Sequence, residues 1–372
     1  MASVVLAPDS FKGSIPAAAA AAALRDGWRS VSPATPLALR PMADGGEGTL
    51  DAFATAVPGA LRMPVTVTGP DGTAVEASWL LLPASADAPG GTGVVELAST
   101  SGIELLGSPP ALRPLDASTR GFGQAIAAAL AHGVSRLVLG IGSSASTDGG
   151  TAMLTALGAR FADAAGRPIA EGGRGLAAVA TADLSALPAL PPGGVQVLTD
   201  VTHPLLGPRG AAAVFAPQKG ASAAEVALLE EGLARWAGLT DVDPTTPGAG
   251  AAGGTGFALL AWGADLMPGA DAVAELIGLR EAVAEASVVV TGEGSFDGQS
   301  ASGKAPDAVR ALAATADVPV ALVAGRIGAD ASTTGFAHAL SLTELAGSAD
   351  AAMADPARWL AAAGAALARL YA

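Results

Sequence analysis

The chain opens on a run of apolar residues, Val4-Val5-Leu6-Ala7, the continuous pattern of a buried strand. A polar loop from Pro8 to Ser14 follows. An alanine-rich stretch to about Trp28 then predicts a helix, with Ser14 as its N-cap and Pro16 in its first turn. Leu37 to Pro41 predicts a second strand, Met42 to Thr49 a glycine-rich loop, and the next residues a short helix ending at Val57. Strand, loop and helix in alternation are the grammar of a parallel sheet.

The pattern changes near residue 62. Two strand-like runs flank Gly69-Pro-Asp-Gly72, which predicts an antiparallel hairpin. A strand at Gly93–Leu97, a helix over Thr119–His132, a strand at Arg136–Ile141, a glycine loop and a helix from Thr151 come next. Val195–Leu198 predicts another strand and Ser222–Trp236 an amphipathic helix. Near residue 287 the opening style returns: a strand at Val288–Thr291, a long loop, a helix from Pro306, strands at Val318–Ala324 and His338–Leu342, and a last helix over Pro356–Tyr371. The two ends share one style and the middle differs. The expected fold is α/β with two domains: a Rossmann-like doubly wound parallel sheet from 1–61 and 285–372, and an inserted mixed α/β domain with an antiparallel hairpin at 62–284. The expected site is the cleft between them.

Composition narrows the function. The chain has 372 residues, 51% hydrophobic and 15% charged, which suits about two cored domains and excludes general disorder. A net charge of −14 repels phosphate backbones, so a nucleic-acid partner is not expected. Cysteine is absent, which removes disulfides, thiolate ligands and a thiol nucleophile. The mean hydropathy of +0.46 raises the question of a membrane. The longest charge-free stretch, between Asp243 and Asp265, is rich in glycine and apolar only in its last third, so it reads as a loop entering a buried helix. No basic segment precedes the first apolar run, so no signal peptide and no membrane partner are expected, and a cytoplasmic location is. The sequence leaves room for a homo-oligomer.

Of 20 basic residues only three are lysine: Lys12, Lys219 and Lys304. Each stands shortly before a predicted helix start, and Ser222-Ala-Ala-Glu225 after Lys219 has the form of a capping box. A cation at a helix N-terminus opposes the helix dipole, whereas a bound anion reverses the balance and makes the position useful. Lysine offers a compact charge that arginine's planar fork does not imitate. The bland alternative is that all three sit on solvated loops by chance.

Acidic residues also recur inside glycine loops at strand ends. Asp44 and Glu47 share one turn with Gly45 and Gly46, Asp148 follows Gly142, Ser143 and Ser144, and Glu293 and Asp297 flank Gly292, Gly294 and Ser295. Glycine admits close backbone approach, and open α/β sheets bind ligands at strand carboxyl ends. Carboxylates there suit Mg²⁺, which shares its coordination with phosphate and water. Structural alternatives stand beside each. Asp148 could cap the next helix, Asp44 could form an Asx turn, Asp9 could cap a turn, Asp200 could start a loop, and Ser10 and the serines of 143–146 could simply bond loops. The run Gly298–Lys304 fits G-x-x-x-x-G-K but lacks the Ser/Thr that a P-loop places on Mg²⁺. The glycine run at 250–256 follows no predicted strand, so it is not a dinucleotide fingerprint.

Taken with their order, the stretches Ala7–Ser14 (APDSFKGS), Pro41–Thr49 (PMADGGEGT), Gly140–Gly150, Asp200–Gly220, Gly248–Gly256 and Thr291–Pro306 resemble the type 1 bacterial glycerate kinase family. The match spans nearly the whole chain. It departs where the family loop reads close to GIGGSATNDGG: Ser143, Ser146 and Thr147 stand for Gly, Thr and Asn, and His203 stands where the family usually has Asn. The resemblance implies an ATP- and Mg²⁺-dependent kinase that phosphorylates D-(R)-glycerate to 2-phosphoglycerate, on two α/β domains. The alternatives are a kinase for another hydroxy acid and a non-catalytic binder of small anions. On this reading Asp44 or Asp148 serves the acceptor hydroxyl. Lys12 and Lys304 neutralise phosphate or carboxylate charge. Ser10, Gly45, Gly46, Glu47, Gly142, Ser143, Ser144, Lys219, Gly292, Gly294 and Ser295 bind substrate or phosphate, and Asp200, Glu293 and Asp297 hold the metal.

Overall fold

The computed structural model describes residues 3–297 and 305–371. Its strands are β1 (Ser3–Pro8), β2 (Leu37–Leu39), β3 (Leu61–Thr68), β4 (Ala74–Leu82), β5 (Thr92–Glu96), β6 (Arg136–Gly140), β7 (Arg160–Ala162), β8 (Thr181–Asp183), β9 (Val195–Leu198), β10 (Asp265–Met267), β11 (Ala286–Phe296), β12 (Val320–Ile327) and β13 (His338–Ser341). The chain divides into two compact units. The first comprises 1–44, 51–58 and 270–372, and the second 45–50 and 59–269.

The first unit holds a five-stranded sheet in the order β13-β12-β11-β1-β2, and every pairing is parallel. Parallel strands buried on both faces read as unbroken apolar runs, which is why Val4–Ala7 and Val288–Val290 are almost wholly enclosed. The strand order places the start of the chain, β1, beside its late return, β11. From β1 the sheet grows to β2 on one side, and from β11 to β12 and β13 on the other. That reversal is a topological switch point, where open α/β sheets leave a crevice at the strand carboxyl ends.

The helix Ala17–Val31 packs on the C-terminal helix Pro356–Tyr371 through small residues. Ala20, Ala21, Leu24 and Trp28 are buried on one helix, Leu360, Ala363, Gly364 and Leu367 on the other. The approach is close enough that a methyl on Gly364 would lie 2.3 Å from the Leu24 carbonyl oxygen. The first helix begins after Pro16, which caps it without a side-chain bond. Ser14, the expected cap, instead donates from Oγ to the Phe11 carbonyl at 2.9 Å, because residues 11–15 close on themselves through paired Phe11 and Ile15 backbone bonds before the helix starts. A second departure is β11. The expected loop after Thr291 is strand as far as Phe296, paired with β12 through Glu293 and Ser295.

The second unit is built on a six-stranded mixed sheet, β10-β9-β6-β5-β4-β3. Strands β5, β6, β9 and β10 are parallel, and the β3–β4 hairpin adds antiparallel to β5. The hairpin turn is the expected Gly69–Gly72, closed by a 2.7 Å bond from the Gly69 N–H to the Thr73 carbonyl. Its core combines Phe122, Ile126, Leu139, Met153 and Leu233 with edge-to-face rings of Phe161, Trp236 and Phe257. The helix Ala223–Ala237 starts with the predicted capping box, Ser222 and Glu225 exchanging side-chain bonds. A small antiparallel pair, β7–β8, completes the unit. Among the described residues no helix is long and apolar enough to cross a membrane.

The Gly364 contact yields a test. Gly364→Ala forces two helix backbones apart and is expected to lower unfolding free energy by about 1–3 kcal/mol, read as a lower urea midpoint with unchanged slope. An unchanged midpoint contradicts the packing described.

Candidate active site

In the first unit, chemistry gathers at the switch point. Asp9 and Ser10 follow β1 directly. The Asp9 N–H donates to the Gly292 carbonyl of β11 at 2.8 Å, and one Asp9 carboxylate oxygen accepts from the Ser10 N–H at 2.6 Å. Backbone bonds from Arg40 to Leu6 and from Met42 to Pro8 carry the segment after β2 alongside β1. Asp44 is thereby brought to the same end of the sheet. Glu293 lies on β11 itself, 7% exposed. Gly292 and Gly294 are needed sterically: a methyl on Gly292 would sit 1.9 Å from the Val323 carbonyl oxygen, and one on Gly294 would press on the Phe11–Lys12 backbone. Ser295 accepts from the Arg326 guanidinium at 2.9 Å, and Asp297 is half-buried. Lys12 is exposed.

These carboxylates sense one another. Asp9 is pushed from 3.8 to about 7, first by burial of its carboxyl group and next by the charge of Asp44; the Ser10 N–H and the Lys12 charge pull it back, and Glu293 adds a smaller upward push. The sequence reading weighed Asp9 only as a turn cap. The available signal was its place immediately after the first buried strand.

In the second unit the predicted residues form a different constellation. Gly45 and Gly46 lie against the loop that follows β6, and the Gly142 N–H donates to the Gly45 carbonyl at 2.9 Å. A methyl on Gly142 would lie 2.5 Å from the Gly46 Cα, and one on Gly45 would lie 2.4 Å from the Leu198 carbonyl oxygen. Only glycine permits this stacking of loop on loop. Ser143 takes a left-handed φ of 58°, a conformation uncommon outside glycine and asparagine. Glu47 is exposed.

Lys219 is 4% exposed and does not face the helix that follows it. Its ammonium donates to the Ser146 carbonyl and, at 3.4 Å, to Ser144 Oγ. Burial lowers its pKa from 10.5 to about 8, although the charge of Asp148 opposes that shift. Asp148 is fully enclosed. One carboxylate oxygen accepts from the Thr119 N–H at 2.9 Å and the Thr119 hydroxyl at 2.7 Å, and the other from the Gly150 N–H at 3.1 Å. Burial raises its pKa against those bonds and against Lys219. Asp148 thus does more than cap a helix: it ties the loop after β6 to the helix Arg120–His132 and faces the buried ammonium.

Beside this loop lies a pocket of about 410 Å³ at the carboxyl ends of β6 and β9. Ser143, Ser144, Thr199, Gln218 and Lys219 are its polar lining residues, and Ile103, Ile141, Val201 and Phe215 its large apolar ones. Ala251 and Ala252 complete it. The apolar residues and Gln218 were not singled out from sequence. The glycine run at 250–256 is indeed no dinucleotide fingerprint, but its first residues form this wall. Asp200 lies nearby in sequence, exposed, with its carboxylate accepting from the Gly269 N–H at 2.7 Å. The three expected metal residues therefore divide: Glu293 and Asp297 in the first unit, Asp200 in the second. Among the described residues no group of three or more His, Asp or Glu is gathered as a metal-binding set. Lys304 lies outside the described residues.

Carboxylates at a sheet switch point and close-packed glycine loops at strand carboxyl ends define an α/β fold built to bind small molecules there. Comparison with known proteins gives the family. A sequence model described as the glycerate kinase family matches residues 4–372, and the chain belongs to that family. It is 42% identical over 337 residues to the glycerate kinase of Bacillus subtilis strain 168, covering 88% of this chain and 86% of that one. It is also 42% identical over 334 residues to the glycerate 2-kinase of Escherichia coli K12, covering 87% and 85%. A crystal structure of a protein described as glycerate kinase 2 from Salmonella typhimurium LT2 superposes with a TM-score of 0.85 at 36% identity, covering 100% of this chain and 98% of that one.

Two tests follow from the buried groups. Lys219→Met leaves the Asp148 carboxylate enclosed without its cation, so stability is expected to fall by about 3 kcal/mol or more. Adding Asp148→Asn is expected to recover part of that loss in a double-mutant cycle. Strict additivity would show that the two groups do not interact. The second concerns Asp9. Its folded pKa lies above the unfolded one, so the folded protein holds a proton between 3.8 and about 7 that the unfolded chain has released. Stability from this group is therefore present at low pH and lost as pH rises through that window. Without nucleotide or divalent ions, Asp9→Asn is expected to melt above wild type at about pH 8 and level with it at about pH 4. A gap independent of pH contradicts the raised pKa.

Proposed function

We propose that the protein transfers the γ-phosphoryl group of ATP, with Mg²⁺, to a hydroxyl of D-(R)-glycerate, giving 2-phosphoglycerate. The observation that carries the reading is the group formed by Asp9, Asp44, Glu293 and Lys12 at the β1–β11 switch point, in a chain of this family. The name of the E. coli relative supports the 2-position. Both substrates belong to the cytoplasm, where we place the enzyme.

Phosphoryl transfer demands positioning and charge neutralisation more than covalent chemistry. In this reading a glycerate hydroxyl oxygen forms the new bond to the γ-phosphorus, the bond from phosphorus to the β,γ-bridging oxygen breaks, and ADP leaves with that electron pair. The hydroxyl proton passes to Asp44, with Asp9 beside it as a second carboxylate held near neutrality. Lys12, on the exposed loop after β1, balances the charge of phosphate or glycerate carboxylate, and Lys304 keeps the same expected role. Ser10, Gly292, Gly294 and Ser295 frame this end of the sheet. Asp148 is enclosed and its oxygens are engaged by Thr119 and Gly150, so we assign it to holding the loop after β6 and not to proton transfer.

The donor set suits Mg²⁺. Asp9, Asp44 and Glu293 supply hard oxygens and repel one another enough to raise Asp9, a repulsion that a divalent cation relieves. Because no three carboxylates converge among the described residues, Mg²⁺ would be held by one or two of them, Glu293 foremost, with phosphate oxygens and water completing its shell. When bound, it supplies neutralisation of the charge on the transferring group.

The test is direct. Protein with ATP, Mg²⁺ and D-glycerate is expected to yield 2-phosphoglycerate by ³¹P NMR. Asp44→Asn is expected to lower kcat by about 10²–10⁴-fold with an unchanged melting temperature. Activity on other hydroxy acids but not on glycerate, or a near-normal Asp44→Asn rate, contradicts the assignment.

A further inference from the structure

The pocket of the second unit takes part of its shape from a residue outside its lining. Phe215, Gln218 and Lys219 reach it from one short segment, the helix Ala211–Phe215 and the 3₁₀ turn Pro217–Lys219 that follows. A helix of five residues has too few internal bonds to hold itself in place. Ala211 and Ala212 fix its start in the core. Its end, with the half-buried Phe215 ring, depends on contacts made by the loop that leads into it.

His203 makes two of those contacts. It stands in the loop after β9, half-buried, two positions beyond the lining residue Val201. Its Nδ1 donates to the Arg209 carbonyl at 2.9 Å. A carbonyl only accepts, so Nδ1 carries the proton and Nε2 is left as an acceptor. The imidazole meets the Phe215 ring edge to face, with centroids 5.1 Å apart and planes at 87°, a geometry that aromatic quadrupoles favour. Between these points the loop closes on itself, the Ala211 N–H donating to the Leu205 carbonyl at 2.9 Å. The main chain of His203 reaches a second lining segment. Its carbonyl accepts from the Gly250 N–H at 2.9 Å, and Gly250 leads directly into Ala251 and Ala252. A methyl on Gly250 would lie 2.2 Å from the Pro204 carbonyl oxygen, so the two backbones are in contact. One residue thus ties together segments that are remote in sequence and meet only at the pocket.

We propose that His203 is a positioning residue for the substrate that this pocket receives: the Nδ1–H and the imidazole ring set the Phe215 ring, and the substrate packs on the result. The inference rests on the reading of the protein as a kinase with two substrates, and adds a residue that governs the seating of one of them.

The experiment measures kcat and the KM for ATP and for D-glycerate in wild type, His203→Ala, Phe215→Ala and the double variant, with ligand-free melting curves to confirm folding. In His203→Ala one KM is expected to rise about five- to tenfold, the loss of one aromatic contact, while kcat and the other KM stay within about twofold. In the Phe215→Ala background the same substitution is expected to change neither KM by more than about twofold, because the group it acts through is gone. His203→Asn places an amide nitrogen as far from Cβ as Nδ1 is and keeps a donor for the Arg209 carbonyl. Its KM is expected to fall between those of wild type and His203→Ala, and it takes the place of His203→Ala in the cycle if that variant does not fold. Unmoved KM values overturn the inference, as does a rise that adds in full to that of Phe215→Ala. An equal rise in both KM values overturns it too, since general loss of shape acts that way. Wild-type protein that makes no phosphoglycerate from ATP sinks the kinase reading and this inference together, whereas wild type that turns over beside variants with unmoved KM values sinks this inference alone.

Discussion

One buried ammonium group organises the second unit. Lys219 enters a space lined by the loop after β6, donates to the Ser146 carbonyl and Ser144 hydroxyl, and faces the enclosed carboxylate of Asp148. Removing either charge from water is expensive, and hydrogen bonds offset that cost: Asp148 accepts from Thr119 and Gly150, and Lys219 donates to two loop oxygens. The left-handed Ser143 and the packing of Gly253 on Ser146 lie in the same loop that the ammonium is bonded to. An arginine would not serve, because its planar fork needs more room and more acceptors than one carbonyl and one hydroxyl offer.

The first unit solves the opposite problem. There Asp9 and Asp44 repel one another while Lys12 stays at the surface. Asp9 is raised because its carboxyl group is walled in and Asp44 is close, a state that any bound cation or cationic side chain would relieve. Both arrangements occur at carboxyl ends of parallel strands, where the backbone stops pairing and loops must turn. The glycines at 45, 142 and 292 are required there by carbonyl or Cα atoms that a methyl would strike.

Much of this was legible in the sequence. The parallel strands announced themselves as unbroken apolar runs, the hairpin by Gly69–Gly72, and the helix Ala223–Ala237 by its capping box. Scarce lysine singles out Lys219 by its place before a helix start; that start is real, yet the side chain turns away from it into the loop. Periodicity misplaced the end of β11, because glycine and glutamate look like loop although their backbone continues the ladder with β12. Asp9 reads from sequence as a turn cap, with only its place after the first buried strand to mark it; its raised pKa comes from burial and then from Asp44, remote in sequence and brought near by the segment after β2. The pocket lining of Ile103, Val201 and Phe215 is invisible for a related reason, since the first and last sit on helical pieces of four and five residues and Val201 in a loop, all too short to show a period.

The scarcity of lysine makes the central claim directly measurable. With ¹⁵Nζ-lysine labelling the protein gives three side-chain signals, and Lys219 is assigned by its loss in Lys219→Met. Titration of that signal is predicted to show a pKa near 8, below the usual 10.5. A signal titrating at the ordinary value would contradict an ammonium buried against the loop after β6.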